Sequence, residues 1–181
     1  MVLSPKITAK SSALLLVDIQ EKLFAKVHEK EQLFVRLLQL ANALSLLQVP
    51  IFVTEQYPQG LGKTIDDLAS FGQKFEKTAF SCLADDTIRS MLLSSEHSNW
   101  IVAGIESHVC ILQTVEDLLR TDKRVYVVQD AISSRHLLNH QSALQEMRAM
   151  GACITTVETL LFRLLEDAKH PYFKEISQLI K

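Results

Sequence analysis

Three residues with chemically useful side chains each lie at or just beyond the end of a predicted strand. Asp18 directly follows a run of five apolar residues, Lys77 closes a short predicted strand, and Cys110 lies just beyond the apolar run that Gly104 ends. A thiol can attack a carbonyl carbon, a carboxylate can take its proton, and an ammonium group can stabilise the negative charge that develops. Because active sites of parallel sheets lie beyond the carboxyl ends of the strands, these side chains are predicted to converge at one edge.

Each of these residues also has an ordinary structural interpretation. Asp18 could cap the turn after its strand, Lys77 could be a solvated lysine, and Cys110 could be a small buried hydrophobe. The position of Cys110 favours chemistry, because the first turn of a helix offers unpaired N–H groups and a helix dipole that favour a thiolate. Cys82, in a connection, and Cys153, inside a predicted strand, lack that setting and are interpreted as structural.

Predicted strands and helices alternate along the chain. The apolar run at 13–17 predicts a strand buried on both faces, and leucines at helical spacing predict a helix over 29–48. Further strands are predicted at 51–54, 75–77, 100–104, 125–128 and 153–156. Further helices are predicted at 65–70, 85–93, 111–119, 139–150 and 157–168, and beyond Pro171, with a loop at 56–62.

This alternation predicts a protein of the α/β class. We expect one three-layer α/β/α domain over residues 1–181, with a doubly wound parallel sheet and right-handed crossovers. A chain of 181 residues with 48% hydrophobic residues is long enough for one such core. Residues 1–12 are predicted to be a flexible N-terminal segment.

The overall composition excludes several classes of protein. Lys and Arg number 19 against 21 Asp and Glu, a net charge of −2, so no excess of positive charge is available for nucleic acid. No apolar run approaches the roughly 20 residues of a membrane span, and the first twelve residues lack the apolar segment of a secretion signal. The three cysteines include no C-x-x-C pair, so neither a disulfide framework nor a thiolate zinc site is indicated. We expect an intracellular protein without nucleic-acid or membrane partners, with the cytoplasm favoured and mitochondria as the alternative.

Three segments resemble those of one enzyme family. VDIQEKL around Asp18, FEKTAFS around Lys77 and VAGIESHVCILQT around Cys110 are similar, in order and approximate separation, to segments of the isochorismatase-like cysteine hydrolases. The likeness extends over nearly the whole chain. The tail AKHPYFKEISQLIK is similar to the branch called isochorismatase domain-containing proteins. The resemblance implies a Rossmann-like, isochorismatase-like hydrolase fold.

The same resemblance implies a catalytic triad of Asp18, Lys77 and Cys110. Asp18 would take the thiol proton, Lys77 would stabilise the negative charge, and the thiolate would form a covalent thioester with the substrate. Backbone N–H groups in the turn from Ile105 to Cys110 would receive the oxyanion, with Glu106 and Cys110 as the expected donors. In the family a non-proline cis peptide bond lies in this turn, and here it would join Ile105 and Glu106.

The segment after the second predicted strand departs from the metal-binding relatives. Nicotinamidases bind a metal there through an aspartate and histidines, whereas this chain reads TEQYPQGLG without a histidine. We therefore expect no metal and no other cofactor. The residues expected to contact a small-molecule substrate are Gln20, Phe24, Tyr57, Phe80, Ser107 and His108. Gln20 could instead bond to backbone, and the aromatic side chains could instead pack in the core.

Two classes of function remain open. The first is a cysteine hydrolase that acts on a small amide, imide or related carbonyl compound. The second is a protein that keeps the fold but serves as a binding or assembly module. The complete triad favours the hydrolase, since a fold by itself indicates neither function.

Self-association into a homo-oligomer is expected from the resemblance, since such relatives form dimers or larger rings. The segment TLLFRLL at 159–165 supports this, because its apolar residues cover too wide an arc for one core-facing stripe. A second copy of the chain could cover Phe162 and Leu165. Alternatively, the tail from Pro171 to Lys181 could cover them within the same chain.

Overall fold

One parallel sheet organises residues 6–181, the part of the chain described by this computed structural model. Its strands are β1 (Ser12–Val17), β2 (Ile51–Gln56), β3 (Gln73–Lys77), β4 (Asn99–Ile105), β5 (Arg124–Ser133) and β6 (Cys153–Thr155). They lie in the order β3-β2-β1-β4-β5-β6, and each neighbouring pair is parallel. The predicted α/β class with a doubly wound parallel sheet is confirmed.

Helices cover both faces of this sheet. They are α1 (Glu21–Phe24), α2 (Lys30–Leu46), α3 (Pro58–Leu61), α4 (Asp66–Ala69), α5 (Asp86–Ser94), α6 (Leu112–Leu119), α7 (Leu137–Ala149), α8 (Val157–Leu165) and α9 (Phe173–Leu179). Helices α2, α8 and α9 share one hydrophobic core with the sheet, and α5, α6 and α7 share the other, which gives three layers. No helix within the described residues is both long enough and apolar enough to cross a membrane.

The continuous apolar run of β1 follows from its central place in the sheet. Leu14 and Leu16 belong to one core, whereas Ala13, Leu15 and Val17 belong to the other. Successive side chains of a strand point to opposite faces, so a strand covered on both faces needs apolar residues at every position. β1 is fully buried along its length for this reason.

The strand order reverses next to β1. The chain runs from β1 outward through β2 to β3, and then returns to β4, which pairs with the other side of β1. In doubly wound sheets, ligands bind in the crevice beyond the carboxyl ends of the strands at such a reversal. Asp18 follows β1 and the turn after Ile105 follows β4, so the two flank this crevice.

Two elements differ from the sequence prediction around the sheet. β5 continues to Ser133 instead of ending at Asp130, because its register against β4 shifts between Val102 and Gly104. Such a bulge accommodates extra residues in one strand without ending the pairing. Within the predicted loop at 56–62, α3 forms with a proline at its first turn, where the missing N–H costs nothing.

The N-terminal segment also departs from expectation in part. Residues 1–5 lie outside the described residues, so flexibility there stays a prediction. From residue 6 onward the chain is packed: Ile7 is fully buried in the core, and Thr8 caps a short 3-10 helix at Ala9–Ser11. Ser12 already belongs to β1.

Most of the apolar arc of α8 is covered within the chain itself. Leu160, Leu161, Leu164 and Leu165 are buried with α2, β5 and the C-terminal helix α9 in one core. Phe162 remains 41% exposed, with its ring edge-on to Phe173 of α9. Leu165 is therefore covered within the chain, which favours the intramolecular alternative for this residue, and covering of Phe162 by a second copy stays a prediction.

Gly104 offers a test of how closely β4 approaches β1. Its φ of +123° suits only glycine, and a Cβ there would overlap the backbone of Val17. Gly151 has a similarly positive φ of +105°, but a Cβ there would meet nothing. We expect Gly104→Ala to lower the free energy of unfolding by about 3 kcal/mol or more, and Gly151→Ala by only about 1–2 kcal/mol. Urea unfolding measures both, and equal losses would contradict the close approach.

Candidate active site

A buried ion pair lies at the centre of the site. Lys77, the last residue of β3, places its Nζ atom 2.7 Å from Oδ2 of Asp18, directly after β1. Both side chains are 0% exposed. An isolated charge in such surroundings would be very unfavourable, so each group depends on the other for stability.

Lys77 is surrounded by oxygen acceptors besides Asp18. Its ammonium group also donates to Oε1 of Gln56 at 2.7 Å and lies within hydrogen-bond distance of the carbonyl oxygens of Ala79 and Phe80, at 3.3 and 3.2 Å. Burial by itself favours the neutral amine and is the largest single influence, but Asp18, Cys82 and Cys110 together outweigh it and raise the pKa of Lys77 above its ordinary value. Lys77 is therefore a fixed positive charge at neutral pH.

Asp18 is held by β2 as well as by Lys77. Thr54 donates its hydroxyl proton to Oδ1 of Asp18 at 2.7 Å, and the backbone N–H of Asp18 donates to the carbonyl of Thr54 at 3.1 Å. Asp18 has a φ of +52°, in the left-handed region that aspartate tolerates better than most residues. The backbone turn at the end of β1 thus directs this carboxylate towards the neighbouring strands.

Cys110 comes from a turn of unusual geometry. Ser107–Ile111 forms a π-helical turn ahead of α6, and the peptide bond joining Ile105 to Glu106 is cis. The N–H groups of Val109 and Ile111 both donate to the carbonyl of Glu106. These N–H groups are therefore already paired, unlike those at the start of an ordinary helix.

The Cys110 thiol lies beside the ion pair, is 5% exposed and interacts electrostatically with Asp18 and Lys77. Burial, together with the negative charge of Asp18, raises the pKa of this thiol far above its ordinary value, and the positive charge of Lys77 offsets this only in part. The expectation that the helix start makes Cys110 a thiolate is thus corrected: the resting group is a thiol beside a carboxylate.

Sequence reasoning missed several neighbours of the triad. Cys82, interpreted as structural, has its Sγ atom 3.9 Å from Oγ1 of Thr54 and interacts electrostatically with Lys77. Burial raises the pKa of Cys82 to about 11, so it is also a thiol. Thr54 and Gln56 lie two residues apart in β2, so both side chains point to the same face, and this periodicity is the signal that could have revealed them.

The side chains after the cis peptide bond are held by the segment before α7 and by α7 itself. Oε1 of Glu106 accepts two hydrogen bonds from Arg135, both 3.0 Å long. Ser107 is hydrogen-bonded to His140 at 2.9 Å. His108 bonds to Ser134 at 2.9 Å and lies 3.3 Å from the side-chain amide of Asn139. Ser107 and His108 thus fix the turn, and substrate contact by them stays a prediction.

The other predicted substrate contacts are divided between the site and the surrounding structure. Gln20 is fully buried, and its side chain bonds the backbone of Gln56 and Gly62, which is the structural alternative considered for it. Phe24 packs edge-on against Phe34, in a cavity lined by neither Asp18 nor Lys77 nor Cys110.

Two aromatic residues lie near Lys77. Tyr57 is 54% exposed and lines a cavity of about 280 Å³ together with Lys77 and Thr78, but neither Asp18 nor Cys110 lines it. Phe80 is 53% exposed, and its carbonyl accepts from Lys77. Substrate contact by these two side chains stays a prediction.

The described part of the chain contains no cluster of side chains that could bind a metal ion. No group of three or more His, Cys, Asp or Glu side chains there has the geometry to hold an ion. The segment TEQYPQGLG contributes Gln56 to the Lys77 network, where an amide oxygen serves as a hydrogen-bond acceptor.

A doubly wound sheet with reactive side chains at its reversal point is typical of α/β enzymes that act on small molecules. The isochorismatase domain family model matches residues 12–159 of the chain. The chain therefore belongs to the isochorismatase family, and this membership supports a hydrolase role.

Relatives and solved structures agree with this assignment. Isochorismatase domain-containing protein 2 of Bos taurus is 41% identical over 182 residues, covering 94% of this chain and 83% of the relative. The MAR1 ribonuclease of Caenorhabditis elegans has a TM-score of 0.90 at 37% identity, covering 97% of this chain and 92% of that one. The YcaC gene product of Escherichia coli, an octameric hydrolase of unknown specificity, has a TM-score of 0.93 with coverages of 99% and 91%. Its identity is 19%, so this last likeness concerns the fold alone.

Removal of one partner from the ion pair tests its role in stability. Lys77→Met leaves the carboxylate of Asp18 buried without its counter-charge, so we expect a loss of about 3–5 kcal/mol in the free energy of unfolding. The double variant with Asp18→Asn should recover much of that loss, because no uncompensated charge remains. Arg120→Met is the control, since Arg120 pairs with Glu116 at the surface and should cost less than about 1 kcal/mol. Additive losses in the double variant, measured by urea unfolding, would contradict the coupling.

Proposed function

We propose that the chain is a cysteine hydrolase that cleaves a small amide, imide or related carbonyl compound through a thioester on Cys110. The observation that carries the proposal is the arrangement of three groups in one buried site. A thiol lies beside a carboxylate and interacts with it, and that carboxylate is paired with an ammonium group 2.7 Å away. This is the set that nucleophilic catalysis with a general base and a charge stabiliser requires.

In the proposed first stage, Asp18 takes the proton of the Cys110 thiol as the sulfur bonds to the carbonyl carbon. The carbonyl π electrons move to oxygen, and backbone N–H groups of Glu106 and Cys110 receive the resulting oxyanion. Collapse of this intermediate restores the carbonyl and breaks the C–N bond, and Asp18 returns its proton to the leaving nitrogen. The products of this stage are an amine and a thioester on Cys110.

In the second stage, water attacks the thioester while Asp18 accepts one of its protons. The C–S bond then breaks, the carboxylic acid is released, and the proton passes from Asp18 to sulfur. Lys77 keeps its proton throughout, since its pKa is raised.

Two alternatives receive less support. A binding or assembly module would not require the thiol, carboxylate and ammonium to be brought together in a buried site. Ribonuclease activity is suggested by the name of the Caenorhabditis elegans protein. However, a net charge of −2 offers little attraction for RNA, and Lys77 is buried and committed to Asp18.

A screen of small amides, imides and esters, with RNA as a separate arm, tests the proposal. We expect turnover of at least one carbonyl compound, loss of turnover in Cys110→Ala, and an acyl adduct on Cys110 by mass spectrometry. Cys153→Ala is the control, because it removes a thiol in β6, away from the site, and should retain turnover. Activity that persists in Cys110→Ala, or cleavage of RNA alone, would contradict the proposed reaction.

We also propose that the chain self-associates, as the octameric YcaC gene product does. Light scattering at micromolar concentration is expected to give a multiple of the chain mass of 20.4 kDa. A mass equal to one chain would refute self-association and leave the proposed chemistry unaffected.

A further inference from the structure

Thr54 contacts the proposed general base at two points. Its hydroxyl donates to Oδ1 of Asp18 at 2.7 Å, and its carbonyl accepts the backbone N–H of Asp18 at 3.1 Å. Thr54 is itself fully buried in β2, in parallel register opposite Val17, the residue before Asp18. Side chain and backbone of one threonine therefore hold both the carboxylate and the peptide of Asp18.

The hydroxyl group of Thr54 has no second proton to donate to another residue. A threonine hydroxyl carries one proton, and this proton is directed to Asp18. The thiol of Cys82 approaches the same oxygen from another direction, at 3.9 Å, where it can only donate weakly. Cys82 and Thr54 thus form a short chain of donors that ends at Oδ1.

The two oxygens of Asp18 are held by different groups. Thr54 holds Oδ1, and Lys77 holds Oδ2 from the far side of β2. With one donor on each oxygen, rotation of the carboxylate would break a short hydrogen bond. Its remaining lone pairs therefore keep a fixed direction relative to the Cys110 thiol, which interacts with this group.

We propose that Thr54 is a positioning residue that fixes the carboxylate of Asp18 for its role as the acceptor of the Cys110 proton. This inference rests on the proposed function, because it concerns the base that takes the proton of Cys110. A hydrogen bond donated to an ionised carboxylate stabilises the charged form. Loss of this hydrogen bond should therefore make Cys110 alkylation more sensitive to acid.

The pH dependence of Cys110 alkylation measures this effect without a known substrate. Removal of the hydroxyl in Thr54→Val keeps the branched shape, but the carboxylate loses a donor and binds a proton more readily. The acid limb of the profile is the pH range over which the alkylation rate rises from its minimum. This limb should therefore move to higher pH by about one unit, the size expected for one hydrogen bond to a charge. Thr54→Ser keeps the hydroxyl and should retain the wild-type limb.

The experiment uses the full chain with Cys153→Ser, because Cys153 is only partly buried and would add background labelling. Iodoacetamide labelling is followed at Cys110 by mass spectrometry from about pH 4 to about pH 9. Thr64→Val is the matched control: Thr64 also donates a buried hydroxyl to a carboxylate, that of Glu55, at 2.6 Å. Its profile should superimpose on that of the parent protein.

The outcomes separate this inference from the proposed function. An unshifted limb in Thr54→Val, or an equal shift in Thr54→Ser or Thr64→Val, would overturn the role of the Thr54 hydroxyl. If Thr54→Val does not fold, as judged by circular dichroism, Thr54→Ala is measured in its place with the same expected shift. Asp18→Asn should alter the acid limb, because the thiol must then lose its proton to solvent; an unaltered profile in that variant would overturn Asp18 as the base, and the role of Thr54 with it.

Discussion

The ion pair between Asp18 and Lys77 constrains the whole carboxyl edge of the sheet. β2 lies between β1 and β3, so Lys77 must reach across β2 to meet Asp18. The residues of β2 beneath this contact are consequently polar: Thr54 donates to the carboxylate and Gln56 accepts from the ammonium group. A buried charge pair is tolerated only when its remaining hydrogen bonds are satisfied, and these two side chains satisfy them.

The thiol reaches the same carboxylate from the opposite side of β1. β4 pairs with the edge of β1 that β2 leaves open, and Gly104 lets the two backbones come close together. The π-helical turn after β4 then carries Cys110 towards Asp18, while its other side chains are held by the segment leading into α7. Asp18 is therefore the one group of the triad that contacts both others, because β1 is the central strand where the winding of the sheet reverses.

Much of this arrangement could be predicted from the sequence. The rest depends on the spatial order of the strands and on the pairing of backbone groups, which the sequence does not show. Asp18, Lys77 and Cys110 lie at or just beyond the ends of predicted strands, and the resemblance of the segments around them to one family assigned them together as a triad. Thr54 also lies at the end of a predicted strand, and its spacing from Gln56 places both side chains on one face. Its contact with Asp18 could not be assigned, because this contact follows from the position of β2 between β1 and β3, and spatial strand order is not visible in the sequence. The turn at Cys110 was mistaken for an ordinary helix start for a similar reason: its N–H groups are paired by a carbonyl that only the folded backbone brings into place.

The protonated state of Cys110 is consistent with the charge balance of the proposed reaction. With Asp18 ionised, Lys77 charged and Cys110 a thiol, the three groups together have no net charge. Transfer of the thiol proton to Asp18 as sulfur attacks moves the negative charge from carboxylate to oxyanion and leaves the total at zero. A thiolate already present at rest would instead place two negative charges beside one ammonium group in a site with almost no contact with water. Because burying an uncompensated charge is strongly unfavourable, this site favours proton transfer at the moment of attack over a nucleophile that is ionised in advance.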